Sequence, residues 1–261
     1  MIQSYQIFQK LITDYIFFNL NKLVFWRKAI IMNISVIKKR FLWSLYLVFY
    51  LPAFFFIEQT ISLDSGNIHM LNSAFDDQIP FIAEFIIPYY FWFIYVIFSA
   101  IHMIFKADNK QFNQFIYSLT IGMTIFIIFS LLYPNGINIR PNDLPDTFCG
   151  HLVARIYKTD TSTNVFPSIH VYNSLVVCIA LYSERHLKGK GLFQLFNILS
   201  CILICLSTLF TKQHCILDVI GGILMMCIFY FLLYVKYEKI SGFISSKVLK
   251  KDLKEVETEN N

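Results

Sequence analysis

Long apolar runs are the feature that most limits what this chain of 261 residues can fold into. A helix needs about 20 mostly apolar residues to cross the hydrocarbon core of a bilayer. Six runs near that length lie at about 41–57, 82–105, 112–132, 171–184, 191–210 and 216–235. Because backbone polar groups must be paired within the lipid, these runs predict an all-α polytopic membrane protein with six transmembrane helices.

The composition favours the same class of protein. Charged residues make up 15% of the chain, whereas they make up about 25% of a typical soluble domain. A soluble domain of this length could not bury 28 Phe and 15 Tyr without also exposing large apolar patches. The composition therefore excludes an ordinary soluble enzyme or binding module.

The apolar runs divide the chain into three parts. Residues 1–40 form an N-terminal segment in which 14–26 mixes apolar residues with Asp, Asn and Lys. This mixture predicts an interfacial amphipathic segment and not a seventh span. Residues 41–235 form the predicted six-helix membrane domain, with its polar motifs within 133–222, and residues 236–261 form a basic tail.

Basic residues are distributed unevenly between the loops on the two sides of the predicted bundle. If six spans alternate, 18 of the 22 Lys and Arg residues fall on one side. Such an excess marks the cytoplasmic side. We therefore predict a multi-pass cell-membrane protein with both termini in the cytoplasm. The net charge of +5 then reflects contact with anionic membrane lipids and not nucleic-acid binding.

Two polar islands interrupt the apolar runs. The first is NVFPSIHVYNS at 164–174, and the second is FTKQHCILDVIGG at 210–222. The chain crosses the membrane twice between His170 and His214, so both histidines return to the same, outer boundary. The side chains of the islands that suit chemistry are those of Ser168, His170, Lys212, His214 and Asp218.

The second island has the spacing of an oriented histidine. His214 and Asp218 are four residues apart, which stacks them on one face of a helix. A carboxylate bonded to one imidazole nitrogen fixes the tautomer and leaves the other nitrogen as a nucleophile or base. Gly221 and Gly222 follow, and they allow a neighbouring helix to approach closely.

The first island and the loop before it supply groups that bind anions. Asn164 or Ser168 can cap a helix whose first turn holds His170, and a helix start is a natural anion site. Arg140 adds a planar fork suited to phosphate oxygens, and Lys212 adds a point charge. The set suits phosphoryl transfer through a phosphohistidine and requires no metal and no other cofactor. No Cys/His zinc spacing occurs, and a disulfide between Cys149 and Cys215 is the less favoured alternative to two free thiols.

These residues resemble the type 2 phosphatidic acid phosphatase superfamily, whose pattern is KxxxxxxRP, then PSGH, then SRxxxxxHxxxD. The chain reads IRP, PSIH and HCILD in the same order, and the resemblance covers about residues 80–235. It implies that His214 is the nucleophile, that Asp218 orients it and that His170 is the general acid. It also implies that Arg140 and Ser168 hold the phosphate oxygens. The resemblance thus implies a metal-independent lipid phosphate phosphatase that works on the outer face, with lipid phosphates as substrates and membrane lipids as surroundings.

Three positions depart from the pattern of the superfamily. Tyr133 and Thr208 stand where it has a lysine and an arginine, and Ile169 replaces the glycine of PSGH. Lys212 could restore one lost charge if the chain is non-helical there. The chain is similar in this respect to inositol phosphorylceramide and sphingomyelin synthases, so transfer of a phospho-headgroup is an alternative to hydrolysis. A non-enzymatic transporter or scaffold is a third alternative, which the lack of an inverted repeat disfavours.

Overall fold

The computed structural model describes residues 34–64 and 66–239. The predicted amphipathic segment at 14–26 and the basic tail beyond residue 239 lie outside the described residues. The described residues belong to two compact units, one that ends at Tyr46 and one that begins at Leu47. Residues 34–46, which are helical, are the described part of the first unit. The second unit carries the helices and loops that position the candidate site.

The described part of the chain from Leu45 onward is mostly helical. A 3-10 turn at Ala83–Phe85 precedes the third of its helices, and a π-helical stretch at Phe231–Val235 follows the last one. In chain order the elements are α1 (Leu45–Thr60), β1 (His69–Met70), α2 (Ala74–Asp77), α3 (Ile86–Lys106), α4 (Asn109–Leu132), β2 (Asn135–Gly136), α5 (Phe148–Thr159), α6 (Ile169–Ser183), α7 (Gly191–Phe210) and α8 (Ile216–Tyr230).

The apolar helices match the six apolar runs of the sequence. Five helices among the described residues are long and apolar enough to cross a membrane, and α6 is a shorter apolar helix of 15 residues. The five are Ile34–Thr60, Ala83–Lys106, Asn109–Leu132, Gly191–Phe210 and Ile216–Val235. The prediction of an all-α polytopic membrane protein is therefore confirmed.

Two candidate spans begin at least three residues before the corresponding apolar run. The first candidate span begins at Ile34 and not at 41, because hydropathy marks the apolar length whereas the helix continues through the basic residues 38–40. The third begins at Asn109 and not at 112, because Asp108 caps it. The Asp108 carboxylate accepts a hydrogen bond from the Gln111 N–H at 2.8 Å, and the Gln111 amide oxygen accepts one from the Asp108 N–H. This reciprocal pair is a capping box.

Helix α6 lies at the centre of the bundle. It packs against α3, α4, α7 and α8, and most of its side chains are buried. The Tyr172 hydroxyl donates to the Ser118 carbonyl on α4 at 2.7 Å, and the Tyr172 ring occupies the space that a side chain at Gly122 would need. The surrounding helices expose large apolar side chains such as Phe49, Leu132 and Leu192, as expected for surfaces that face lipid.

The loops at one end of the bundle are organised by short elements. Strand β1 pairs in parallel with β2, so that His69 lies opposite Asn135. Helix α5 lies in the segment between the apolar runs at 112–132 and 171–184, and the sequence analysis did not predict it. Thr147 caps α5 by accepting a hydrogen bond from the Gly150 N–H at 3.1 Å. With 12 residues, α5 is too short to span a bilayer.

Candidate active site

The loop before α6 places His170 in the first turn of that helix. The buried Asn135 side chain accepts hydrogen bonds from the N–H groups of Val165 and Phe166, both at 3.0 Å. Asn164 has a φ of 56°, a left-handed conformation that asparagine tolerates better than most residues. Ser168 then caps α6, because its hydroxyl accepts from the Val171 N–H at 3.4 Å. The prediction of a cap at this position is confirmed for Ser168.

The chain between α7 and α8 is irregular, as the sequence analysis required for Lys212. Lys212 has a φ of 54°, and the Thr208 carbonyl accepts from the N–H groups of both Gln213 and His214 at 3.0 Å. Helix α8 then starts with its own cap, because the Asp218 carboxylate accepts from the Cys215 N–H at 2.9 Å. His214 therefore lies in the loop before the cap residue Cys215, whereas Asp218 lies in the first turn of α8. The prediction that both side chains stack on one face of a helix is wrong for His214, because the helix begins only at Ile216.

The two islands are in direct contact. The Ser168 N–H donates to the Asp218 carbonyl at 3.0 Å. A Cβ atom at Gly222 would lie 2.8 Å from the Ser168 carbonyl oxygen, and one at Gly221 would overlap the Phe166 ring. The prediction that these glycines allow close approach is confirmed, and their partner is the start of α6.

The histidines and the aspartate form a row. His214 Nε2 is 3.4 Å from His170 Nδ1, and His214 Nδ1 is 3.4 Å from Asp218 Oδ2. Both distances are longer than an ordinary hydrogen bond. The two imidazoles are buried, and Asp218 is fully enclosed. One side of the His214 ring thus faces a carboxylate, and the other faces a second imidazole.

Aromatic residues of α3 enclose His170. The ring centroids of Tyr89 and Trp92 lie 4.7 Å and 4.5 Å from that of His170. The Tyr89 hydroxyl donates to the Asp160 carboxylate. The position of the His170 ring is thus set by helix α3 as well as by its own helix.

Arg140 donates to acceptors of the protein. Its guanidinium bonds to the carbonyls of Asp160 and Thr161 at 2.8 Å and 2.9 Å, to the Tyr157 carbonyl at 3.3 Å and to the Gln213 side chain. Burial lowers the pKa of the Arg140 guanidinium, but an arginine remains charged at neutral pH. Arg140 therefore joins the C-terminal end of α5 to the residue before His214.

Lys212 also has a protein acceptor. Its amino group donates to the Asp76 carbonyl of α2 at 2.6 Å, and burial lowers the pKa of this amine. The Asp76 carboxylate in turn accepts from the Ile216 N–H at 2.7 Å, so α2 holds both ends of the loop that contains His214. Phosphate binding by Lys212 would require its amino group to exchange the Asp76 carbonyl for a substrate oxygen.

A narrow cleft opens beside the two histidines. Besides His170 and His214, its polar lining consists of Glu58, Asp160, Thr163 and Asn164, and its apolar lining of Phe54, Phe126, Val165 and Ile169. Within residues 34–64 and 66–239, no three His, Cys, Asp or Glu side chains converge as metal ligands. The lining thus offers carboxylates where the sequence analysis expected cations.

The two positions that lack cations have other contacts. The Tyr133 ring stacks on His69 with centroids 4.0 Å apart. Thr208 is fully buried, and its hydroxyl donates to the Cys205 carbonyl at 2.8 Å. Cys149 and Cys215 are both free thiols.

The sequence analysis missed several residues of the site. Tyr89 lies within an apolar run and Glu58 directly follows one, and nothing in the sequence connects them to the histidines. Asp76 had a detectable signal, because Ser73 and Asp76 have the spacing of a capping box, which the structure contains. That signal indicates a helix start but not a contact with the second island.

Comparison with known proteins identifies the part of the chain that carries the islands. Residues 115–241 match the family model described as PAP2 superfamily. No curated protein and no solved structure matches the chain. The matched range contains every residue that the sequence analysis proposed for the site, and it excludes Glu58, Asp76 and Tyr89.

Proposed function

We propose that this chain, which belongs to the PAP2 superfamily, cleaves phosphate esters of lipids through a covalent phosphohistidine on His214. Membership supports a membrane phosphatase or phosphotransferase in general. The observation that carries the specific proposal is the row of Asp218, His214 and His170, with 3.4 Å between neighbouring side chains.

In the first step, His214 Nε2 attacks phosphorus, the N–P bond forms, and the P–O bond to the leaving alcohol breaks. Asp218 holds the proton on Nδ1, so that Nε2 keeps its lone pair. Protonated His170 gives a ring proton to the leaving oxygen. In the second step, water loses a proton to His170 and attacks phosphorus, the N–P bond breaks, and inorganic phosphate leaves.

Ser168 and the start of α6 are proposed to hold the phosphate oxygens, because a helix N-terminus presents N–H groups and a favourable dipole. Arg140 contributes positive charge from beside Gln213, the neighbour of His214. Its bonds to protein carbonyls also hold the His214 loop in place. Lys212 is a second source of charge if its amino group leaves the Asp76 carbonyl.

Transfer of a phospho-headgroup to another alcohol is the second candidate. It uses the same covalent intermediate, with an alcohol in place of water in the second step. The observation that favours it is the acidic lining of the cleft, where Glu58 and Asp160 stand near the histidines. Two carboxylates there disfavour a doubly charged phosphate monoester and tolerate a singly charged diester.

The site is proposed to face the outside of the cell membrane, with both termini in the cytoplasm. The unequal distribution of Lys and Arg between the loops supports this orientation. The division into an N-terminal segment 1–40, a catalytic domain 41–235 and a basic tail 236–261 remains part of this proposal, except that residues 34–40 are helical and belong to the first candidate span.

The test is trapping of the phosphoenzyme. Purified protein in lipid micelles is quenched with alkali after incubation with lipids that carry labelled phosphate, because a phosphohistidine survives alkali. We expect label on the parent protein and none on His214→Ala. The control is His151→Ala, because His151 is exposed and, among the described residues, its side chain is paired with the exposed Asp146. Turnover of any lipid phosphate by His214→Ala at the parental rate would refute the mechanism.

A further inference from the structure

Glu58 brings a carboxylate to the cleft from a part of the chain outside the PAP2 match. It lies near the C-terminal end of α1, is 8% exposed and lines the same cleft as His170 and His214. A buried carboxylate is costly unless it is paired. It therefore requires an explanation in a cleft proposed to bind an anion.

Other residues of the protein use only part of the hydrogen-bonding capacity of the Glu58 carboxylate. Its Oε2 accepts from the N–H and the hydroxyl of Thr161 at 3.0 Å and 2.6 Å, and its Oε1 accepts from the Asn164 amide only at 3.4 Å. A carboxylate offers about four acceptor positions. Oε1, with one long contact, retains acceptor capacity next to the cleft.

Asn164 supplies an independent observation. It lines the cleft, is 3% exposed, and its amide oxygen has no hydrogen-bond partner among the described residues. A buried carbonyl oxygen without a donor is costly, so this oxygen is available to a donor group of a ligand in the cleft. Its amide nitrogen contacts Glu58 and Thr163, both at 3.4 Å, which orients the side chain.

The polar groups of the cleft apart from the histidines are therefore mainly acceptors. Asp160 adds a second carboxylate, although one of its oxygens already accepts from Tyr89. Arg140 donates to protein carbonyls and to Gln213. A ligand that complements this lining must bring hydrogen-bond donors.

We propose that Glu58 and Asn164 form a subsite for the O–H or N–H donors of a lipid headgroup. The substrate is then a phosphodiester whose headgroup carries hydroxyls or an amine, and not a bare phosphate monoester. This inference rests on the histidine chemistry of the proposed function and favours its second candidate, because it places the scissile phosphate at His214 and the headgroup against Glu58. When diacylglycerol leaves, a diester leaves its phospho-headgroup, and not a bare phosphate, on His214. Hydroxyl and amine headgroups both supply a hydrogen-bond donor, which is the property that the subsite would recognise.

The experiment compares four lipids with identical acyl chains: phosphatidic acid, phosphatidylglycerol, phosphatidylethanolamine and phosphatidylcholine. The glycerol and ethanolamine headgroups carry hydrogen-bond donors, and choline carries a positive charge without N–H groups. Phosphatidic acid has only its phosphate, with no headgroup alcohol. Binding is measured on His214→Ala protein, so that the readout does not depend on turnover. Release of diacylglycerol is measured with His214 intact.

We expect the glycerol and ethanolamine lipids to bind better than the other two. Glu58→Gln should weaken binding of these two lipids by about tenfold or more, the loss expected for a hydrogen bond to a charged group. Binding of phosphatidylcholine should change little. The matched control is Thr161→Val, which removes the 2.6 Å hydrogen bond to Glu58 but keeps the carboxylate. If Glu58 only anchors the loop, both variants should affect all four lipids equally.

Each contrary outcome has a distinct meaning. An equal loss for all four lipids in Glu58→Gln would overturn the subsite, as would preferred binding of phosphatidic acid. Binding of phosphatidylcholine as tight as that of phosphatidylethanolamine would show that the cleft selects charge and would overturn the donor subsite. None of these results affects the phosphohistidine. If instead no lipid labels His214, the proposed function fails, whereas the headgroup preference in binding can still be observed.

Discussion

Replacement of Asp218 by Asn tests the orientation of the nucleophile with little change in shape. The Asp218 side chain is fully buried, and its Oδ2 lies 3.4 Å from His214 Nδ1 and 2.9 Å from the Cys215 N–H. The contact between the islands uses the main-chain carbonyl, which accepts from the Ser168 N–H and is unaffected by the change. Because Oδ2 faces both groups, Asn must fill this position either with a neutral amide oxygen or with its amide N–H.

The expected loss follows from the tautomer. An amide N–H facing His214 Nδ1 would force that nitrogen to accept, and the proton would move to Nε2, which could then no longer attack phosphorus. Removal of the orienting carboxylate of a catalytic triad costs about 10⁴-fold in kcat. The contact here is longer than a hydrogen bond, so we expect a loss of about 10²–10⁴-fold. That range corresponds to roughly 3–5 kcal/mol of transition-state stabilisation.

The assay is the single-turnover rate of phosphoenzyme formation, followed by alkaline quench, together with the unfolding temperature in the same micelles. The control is Asp143→Asn, because Asp143 is exposed in the loop after Arg140. A parental rate of phosphorylation in Asp218→Asn would refute the role of the carboxylate. A loss of rate matched by unfolding at the assay temperature would show a structural role instead.

Three further changes test the contact between the islands, the role of one cation and the orientation in the membrane. Gly222→Ala should lower the free energy of unfolding by about 1–3 kcal/mol, because the added methyl group overpacks the contact, and it should also lower turnover. Gly191→Ala is the control, because a Cβ atom there meets no described atom within 4 Å. It should leave both turnover and unfolding temperature unchanged. Lys212→Ala should lower the free energy of unfolding by about 1–3 kcal/mol, because it leaves a buried carbonyl without its donor; a raised KM at unchanged stability would instead indicate phosphate binding. Cysteines are introduced singly at the exposed Asn142 and at Lys250. In intact cells an impermeant reagent should label the cysteine at position 142 and not the one at position 250. Labelling at position 250 would contradict the predicted orientation.

The fold could be predicted from hydropathy because a bilayer imposes a length on each apolar segment. The run at 191–210 coincides with α7, and the run at 216–235 coincides with the last candidate span. The start of the first span at Ile34 was missed, because a helix can extend through charged residues, here 38–40, beyond its apolar part. Helix α5 was missed because it does not span the bilayer and therefore has no apolar run of that length. Its apolar side chains are buried against other parts of the protein.

The row of Asp218, His214 and His170 could be predicted, because two of its residues are close in sequence and the third is separated from them by two complete helices. His214 and Asp218 lie four residues apart, and His170 returns to the same end of the bundle after two crossings. The partners of Arg140 and Lys212 could not be predicted, because their acceptors are main-chain carbonyls. The sequence shows a charge but not which carbonyls surround it.

The carboxylates that hold the two islands have a consequence for selectivity. Glu58 bonds to Thr161, in the loop that leads to His170, and Asp76 bonds to the N–H of Ile216, two residues after His214. Both carboxylates lie outside residues 115–241, the range that matches the PAP2 superfamily. The matched range therefore contains the proposed nucleophile, acid and orienting carboxylate, whereas the preceding helices set the surroundings of each histidine. We expect changes at Glu58 to alter which ester is bound while the phosphohistidine still forms, because the Glu58 side chain reaches the cleft without being part of the histidine row.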